Sequence, residues 1–198
     1  AHPEKDLNRM IRIYFARGSA YHHQGNYPES VRWGLDVLDM AAKAKDQLMW
    51  FRSIELLVLT YLYSNNNELA MKYAFMAYPM IAAAKSKTEK FGLLIRLGWV
   101  CKQTGNYERA IPLFLKADQL SAVCDTIGPA NTALNALHLG TSYYALQQYD
   151  SALFFFRKSD RVRAANNIKV IDWAVTGIGR CFRNLNRPDS ALHYFQIS

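Results

Sequence analysis

The groups in this 198-residue chain that could do chemistry are its 5 histidines, 3 cysteines, 16 carboxylates and 24 Lys and Arg side chains. His22 and His23 are neighbours, and successive helix positions point about 100° apart, so the two do not readily ligate one metal. Cys101, Cys124 and Cys181 are far apart and form no C-x-x-C or Cys/His spacing, so they read as small buried hydrophobes. Asp36 and Asp39 lie three apart, as helix-surface acids do, and Asp46 and Arg52 flank a turn. The chain holds no phosphate-cradling Gly-rich loop, G-x-S-x-G elbow or H-E-x-x-H pair. No catalytic residue, metal site or cofactor is therefore expected. What remains is charge: a formal +8 that must find a partner or simply solvate the surface.

Where those charges sit depends on the elements that carry them. Hydrophobic residues make up 51% of the chain, and it has only 10 glycines and 6 prolines, which excludes disorder, collagen-like and disulfide-scaffold classes. The apolar runs, such as Ile54 to Leu62, are too short to cross a bilayer. The opening Ala1-His2-Pro3-Glu4 is neither a signal peptide nor a start methionine and reads as a mature or trimmed terminus.

The chain repeats. Gly18 to Tyr21 is followed by Gly25-Asn26-Tyr27 and Ser30; Gly98 to Cys101 by Gly105-Asn106-Tyr107, Ala110, Phe114 and Ala117. Gly140 to Tyr143 is followed by Tyr149, Ala152, Phe156 and Ser159; Gly179 to Phe182 by Pro188, Ala191 and Phe195. A weaker copy runs through Val58, Tyr61, Asn67, Ala70, Ala74 and Ala77. The anchors Gly18, Val58, Gly98, Gly140 and Gly179 recur about every 40 residues. Small residues at the anchors and at Ala70, Ala110, Ala152 and Ala191 let paired helices approach, and Tyr21, Tyr61, Tyr143 and Phe182 fill the space beside them. Asn26, Asn67 and Asn106 fall at turns, where Asn caps a helix or takes left-handed backbone; Pro28 and Pro188 suit a first helical turn. Apolar spacing predicts ten helices: 7–24, 27–45, 47–64, 67–85, 88–104, 107–124, 129–147, 150–165, 168–186 and 188–198.

This pattern resembles the tetratricopeptide repeat (TPR) over nearly the whole chain, in a long variety: the usual unit has about 34 residues and here it has about 40. The resemblance implies an all-α, right-handed superhelical solenoid of about five antiparallel helix pairs. It would form one array over 1–198, with units at 7–46, 47–86, 87–127, 128–167 and an incomplete 168–198. The last helix is short and would leave Leu192 and Phe195 uncovered, so a partner, further chain or self-association is expected at that end. The phrases Tyr149-Asp150-Ser151-Ala152-Leu153-Phe154 and Pro188-Asp189-Ser190-Ala191-Leu192 are similar to long-repeat arrays of bacterial regulators, where the array is a sensing segment.

The family's inner face is lined by the first helix of each pair. With the anchor as position eight, positions 2, 5, 6, 9, 12 and 13 face inward, by that resemblance. They include Arg12, Phe15, Ser19, His22 and His23; Arg52, Glu55, Leu59 and Tyr63; Arg96, Trp99 and Lys102; Leu137, His138, Thr141 and Tyr144; and Trp173, Thr176, Arg180, Arg183 and Asn184. Six cations, Arg12, Arg52, Arg96, Lys102, Arg180 and Arg183, stand against Glu55. Arginines beside the rings of Trp99, Tyr144 and Trp173 suit an acidic, extended peptide. The family's terminal-carboxylate clamp does not match, because Phe15, Glu55 and Ile95, and Ser19, Leu59 and Trp99, occupy its positions. A code for RNA bases needs regular polar positions, and Ser19, Leu59, Trp99, Thr141 and Arg180 are irregular, so nucleic acid is disfavoured. A structural scaffold is the remaining alternative to a peptide-binding module.

Overall fold

A computed structural model describes residues 3–168 and 173–197. Every regular element among them is helical: α1 (Pro3–His23), α2 (Tyr27–Lys43), α3 (Gln47–Tyr63), α4 (Asn67–Met76), α5 (Tyr78–Ala83), α6 (Lys87–Gln103), α7 (Tyr107–Ala122), α8 (Pro129–Ala145), α9 (Tyr149–Ala165), α10 (Trp173–Asn184) and α11 (Pro188–Gln196). The chain forms two compact units, residues 1–80 and 81–198. Part of the helix expected over 168–186 lies outside the described residues, and so does Ser198.

The expected helix over 67–85 is broken. It stops at Met76, turns at Ala77 and restarts at Tyr78 as the six-residue α5. Pro79 is the cause: it has no amide to donate, and its ring crowds the carbonyl four residues back. Proline is tolerated only in a first turn, so a new helix starts there.

One turn geometry joins most helices. Gly25 and Gly105 have φ of 75° and 76°, and Asn65, Gln147 and Asn186 occupy the same left-handed position at 55° to 59°. The amide of the next residue reaches back five, as in Asn26 N to Tyr21 O at 2.9 Å and Asn106 N to Cys101 O at 2.8 Å, which closes a Schellman motif. The left-handed residue thus precedes the asparagines that the sequence suggests. Asn26 caps α2 by accepting from Glu29 N at 3.4 Å. Asn66, not Asn67, caps α4 by accepting from Leu69 N at 3.2 Å, and Asn106 makes no side-chain capping bond.

In unit 1 (residues 1–80), α1 packs on α2, α2 on α3 and α3 on α4. Its core gathers Ile11, Val37, Ala41 and Met49. The Trp33 indole packs edge-on against Tyr14 at 4.7 Å and carries the guanidinium groups of Arg17 and Arg32 at 5.1 and 4.8 Å.

In unit 2 (residues 81–198), consecutive helices from α6 to α11 pack in order, and α6, α8 and α10 also meet as a row. The anchor glycines do admit close approach, but what approaches is a phenylalanine. A Cβ on Gly98 would lie 2.7 Å from the Phe114 ring, on Gly140 2.5 Å from Phe156, and on Gly179 2.7 Å from Phe195. Gly177, from the next hairpin, closes on Phe156 too, at 2.8 Å. The aromatics beside the anchors stack on a ring twelve residues later: Tyr143 on Phe155 and Phe182 on Tyr194, both at 5.5 Å. In unit 1, Tyr61 stacks on Tyr73 at the same spacing.

Polar staples cross between hairpins where the pattern of apolar residues shows only core. Buried Ser53 donates to Gly34 O at 2.6 Å, and buried Asn135 donates to Phe114 O at 3.0 Å. Lys158 on α9 grips both oxygens of Asp118 on α7, at 2.6 and 2.8 Å, with both side chains mostly covered. A double-mutant cycle on Asp118→Asn and Lys158→Met should return a coupling of about 1 kcal/mol, above that of an exposed pair. A coupling near zero in urea unfolding would make the pair ornamental.

Candidate functional site

The expected site residues fall in both units and are described unit by unit. In unit 1, Arg12 and Arg52 are exposed on α1 and α3. His22 lies ten residues beyond Arg12, about 15 Å along the helix. It is half-buried in a polar and aromatic cluster, not joined to the arginines. Thr60 Oγ1 donates to Leu56 O at 2.7 Å, and His22 Nδ1 lies 3.1 Å from Thr60 Oγ1. Buried Ser30 Oγ lies 3.0 Å from the same hydroxyl, so His22, Ser30 and Thr60 form one polar cluster. The His22 ring stands edge-on to Tyr63 at 5.2 Å, and Tyr63 stacks on Tyr27. Burial lowers the His22 pKa, and His23 beside it adds to this.

In unit 2 the row α6, α8 and α10 positions the remaining residues. Arg96 is exposed on α6, and Trp99 is half-buried one turn on. Lys102, at the end of α6, reaches across to α8, where its Nζ lies 3.4 Å from His138 Nδ1. The His138 ring is stacked on Phe114 at 5.2 Å. Burial, reinforced by the Lys102 ammonium, pushes the His138 pKa from 6.5 down to about 4, and burial also lowers that of Lys102.

One turn further along α8 the surface opens into a cavity of about 300 Å³ between α8 and α10. Leu137, Thr141 and Tyr144 form one wall, and Trp173, Thr176, Gly177 and Arg180 the other; the Phe156 ring is the floor. Tyr144 is held by Asn184, whose Nδ2 donates to the phenol oxygen at 2.8 Å and to Arg180 O at 3.0 Å. Trp173 is 63% exposed, a large apolar ring at the rim. Arg180 and Arg183 are exposed on the same helix, but only Arg180 lines the cavity.

The structure thus brings Lys102 to His138, and Tyr144, Trp173 and Arg180 around one cavity. The repeat pattern does not mark Phe156 and Gly177 as site residues. The signal for them is the second glycine of Gly177-Ile178-Gly179, which has no counterpart at the other anchors. Of the cysteines, Cys101 and Cys181 are buried, as a small-hydrophobe role requires, whereas Cys124 is half-exposed in the α7–α8 connection beside Thr126.

Comparison with known proteins gives the fold a context. The tetratricopeptide repeat family matches residues 91–124, inside the third expected unit. No curated protein sequence matches the chain. Among solved structures, the apo form of RapI superposes with a TM-score of 0.80 at 15% identity, covering 94% of this chain and 68% of that one. A putative kinesin light chain from Podosopora anserina, with nearly identical TPR-like repeats, gives 0.77 at 14% identity, over 99% of this chain and 94% of that one. A Rap protein complexed with Competence and Sporulation Factor gives 0.68 at 14% identity, over 94% of this chain and 52% of that one. The chain therefore has the all-α fold of tetratricopeptide-like repeat proteins, and its residues 91–124 match that family directly.

Proposed function

We propose that the chain is a protein-interaction module, the sensing or binding segment of a regulatory protein. It takes an extended, acidic peptide on the α6, α8 and α10 face of unit 2. The observation that carries this is the cavity between α8 and α10. It is large enough for one side chain, rimmed by the rings of Tyr144 and Trp173, and has the Arg180 guanidinium at its edge. An exposed Trp and a half-buried Tyr beside Arg are the residue types of which binding hot spots are made. Lys102 and Arg183 extend the positive charge along the same row, so a peptide bearing carboxylates on both sides of an apolar residue is complementary. Arg12 and Arg52 offer further exposed positive charge on unit 1, and His22 lies apart from them in its aromatic cluster. No catalytic step is assigned to any of these residues. The Rap neighbour complexed with Competence and Sporulation Factor supports a binding role for this fold.

The pair Trp173→Ala with Arg180→Glu tests it. Binding of labelled acidic peptides, followed by fluorescence polarisation, should weaken at least tenfold while helical circular dichroism and the melting curve stay unchanged. Unchanged affinity in that variant would overturn the reading. A second reading rests on the end of α11, where Leu192 and, just past the helix, Ile197 are 58% and 56% exposed: another copy of the chain packs there. Sedimentation that shows one mass at all concentrations removes it.

A further inference from the structure

Asn184, the last residue of α10, uses its amide nitrogen twice. It donates to Arg180 O on its own helix at 3.0 Å and to the Tyr144 phenol oxygen on α8 at 2.8 Å. A backbone carbonyl can only accept, so the Asn184 atom that faces Arg180 O has to be the nitrogen. The same nitrogen meets Tyr144, which makes the phenol oxygen the acceptor there. The one proton of the phenol is left over and must turn away from Asn184. Among the described residues no acceptor takes it, and no carboxylate pairs with the exposed Arg180 guanidinium. Tyr144 and Arg180 line the same cavity, which thus has two donors that the protein does not satisfy. Thr141 on the same wall gives its proton to Leu137 O at 2.7 Å and adds no third. The bridge is local to this cavity. Ala145, the last residue of α8, stands as far past Gly140 as Asn184 stands past Gly179, and its methyl group can make no such bond.

We propose that Asn184 is a positioning residue of the peptide site: by holding the Tyr144 phenol as an acceptor it reserves the phenol proton for the ligand, and that proton reads an acid side chain of the bound peptide at the cavity that Arg180 also lines. This rests on the reading of the α6, α8 and α10 face as a peptide site. It adds the group that tells an acid from its amide and the residue that orients that group. A phenol that donates to a carboxylate makes a charge-assisted bond, stronger than the one it makes to the amide oxygen of a glutamine. Without Asn184 the hydroxyl is free to rotate, and the ligand has to fix it at the cost of that freedom. Asn184 itself need not touch the peptide, since both of its N–H groups are already engaged.

The test uses two labelled, capped probes on the whole chain, the peptide Glu-Glu-Leu-Glu-Glu and its counterpart Gln-Gln-Leu-Gln-Gln, with affinities from fluorescence polarisation. Tyr144→Phe keeps the ring and removes only the hydroxyl. It should weaken the Glu peptide about tenfold and the Gln peptide about threefold, so the preference for acid over amide shrinks. Asn184→Ala should shrink that preference in the same direction. In the Tyr144→Phe background Asn184→Ala should change nothing further, because the group it orients is gone. Losses that add in the double variant would mean that Asn184 meets the peptide directly, and would overturn the positioning role. Equal losses for both peptides in Asn184→Ala would also overturn it, since a residue that only keeps α10 docked weakens every ligand alike. Glu-peptide binding that survives Tyr144→Phe intact but is lost in the Trp173 and Arg180 double variant overturns this inference and keeps the acidic-peptide reading. A native chain that binds neither peptide overturns both.

Discussion

Replacing Gly140 with alanine is expected to lower stability by about 3 kcal/mol, a large effect for one methyl group. The added Cβ would fall 2.5 to 2.9 Å from the Phe156 ring, well inside contact distance. Rings usually relieve such a clash by sliding away, but Gly177 of α10 is packed on the same ring, where a Cβ of its own would lie 2.8 Å away, so the α8–α9 hairpin and α10 would have to separate. Gly177→Ala should behave alike, since its added Cβ would fall 2.8 Å from the same ring. The internal control is Gly92, which lies within α6 with nothing within 4 Å of its missing Cβ. There alanine improves helix propensity, and Gly92→Ala should gain about 0.8 kcal/mol. Urea midpoints for the three variants decide the matter. Equal losses at Gly92 and Gly140 would mean that helix propensity, not the Phe156 contact, sets the response.

The second large effect is on acid stability. His138 is held at about 4 in the folded chain against 6.5 for an ordinary histidine. Between those values the unfolded chain binds a proton that the folded chain refuses. The stability that His138 contributes is therefore complete above pH 6.5 and is lost as pH falls toward 4. The full loss is about 3 kcal/mol. His22, lowered by burial in unit 1, acts with the same sign. Unfolding free energy measured from pH 7.5 to 4.5 should decline in the native sequence, and His138→Gln should flatten much of that slope. An equal slope in the variant would show that the imidazole is solvated and that carboxylates alone govern the decline.

Repeat logic made most of the fold readable. The spacing of Gly98 and Phe114, and of Gly140 and Phe156, is written in the chain, and it put the helix pairs in register. The pairing of glycine with phenylalanine was harder to see, because alanines at Ala110 and Ala152 offered an equally plausible small partner. The break at Ala77 was legible in Pro79 but masked by the helical apolar spacing on either side of it. The polar staples were hidden for a different reason: Asn135 and Ser53 occupy positions that are apolar in the other repeats, and a repeat average erases exceptions. The site divided in the same way. Lys102, His138, Tyr144, Trp173 and Arg180 were each placed on one face by position. That Lys102 meets His138, and that Tyr144, Trp173 and Arg180 share a cavity, depends on how far each hairpin rotates on the last, which side-chain types do not encode.

The cavity between α8 and α10 has as its floor the same Phe156 ring that Gly140 and Gly177 clasp. Surface and core are therefore one object at this point. A side chain seated in the cavity rests on the ring that joins two hairpins, so filling it and keeping α10 docked are linked equilibria. Occupancy would be felt as slower hydrogen exchange in the amides of α10 and α11, well away from the ligand itself. A ligand held there would stiffen the last hairpin without any change of shape, through rigidity alone.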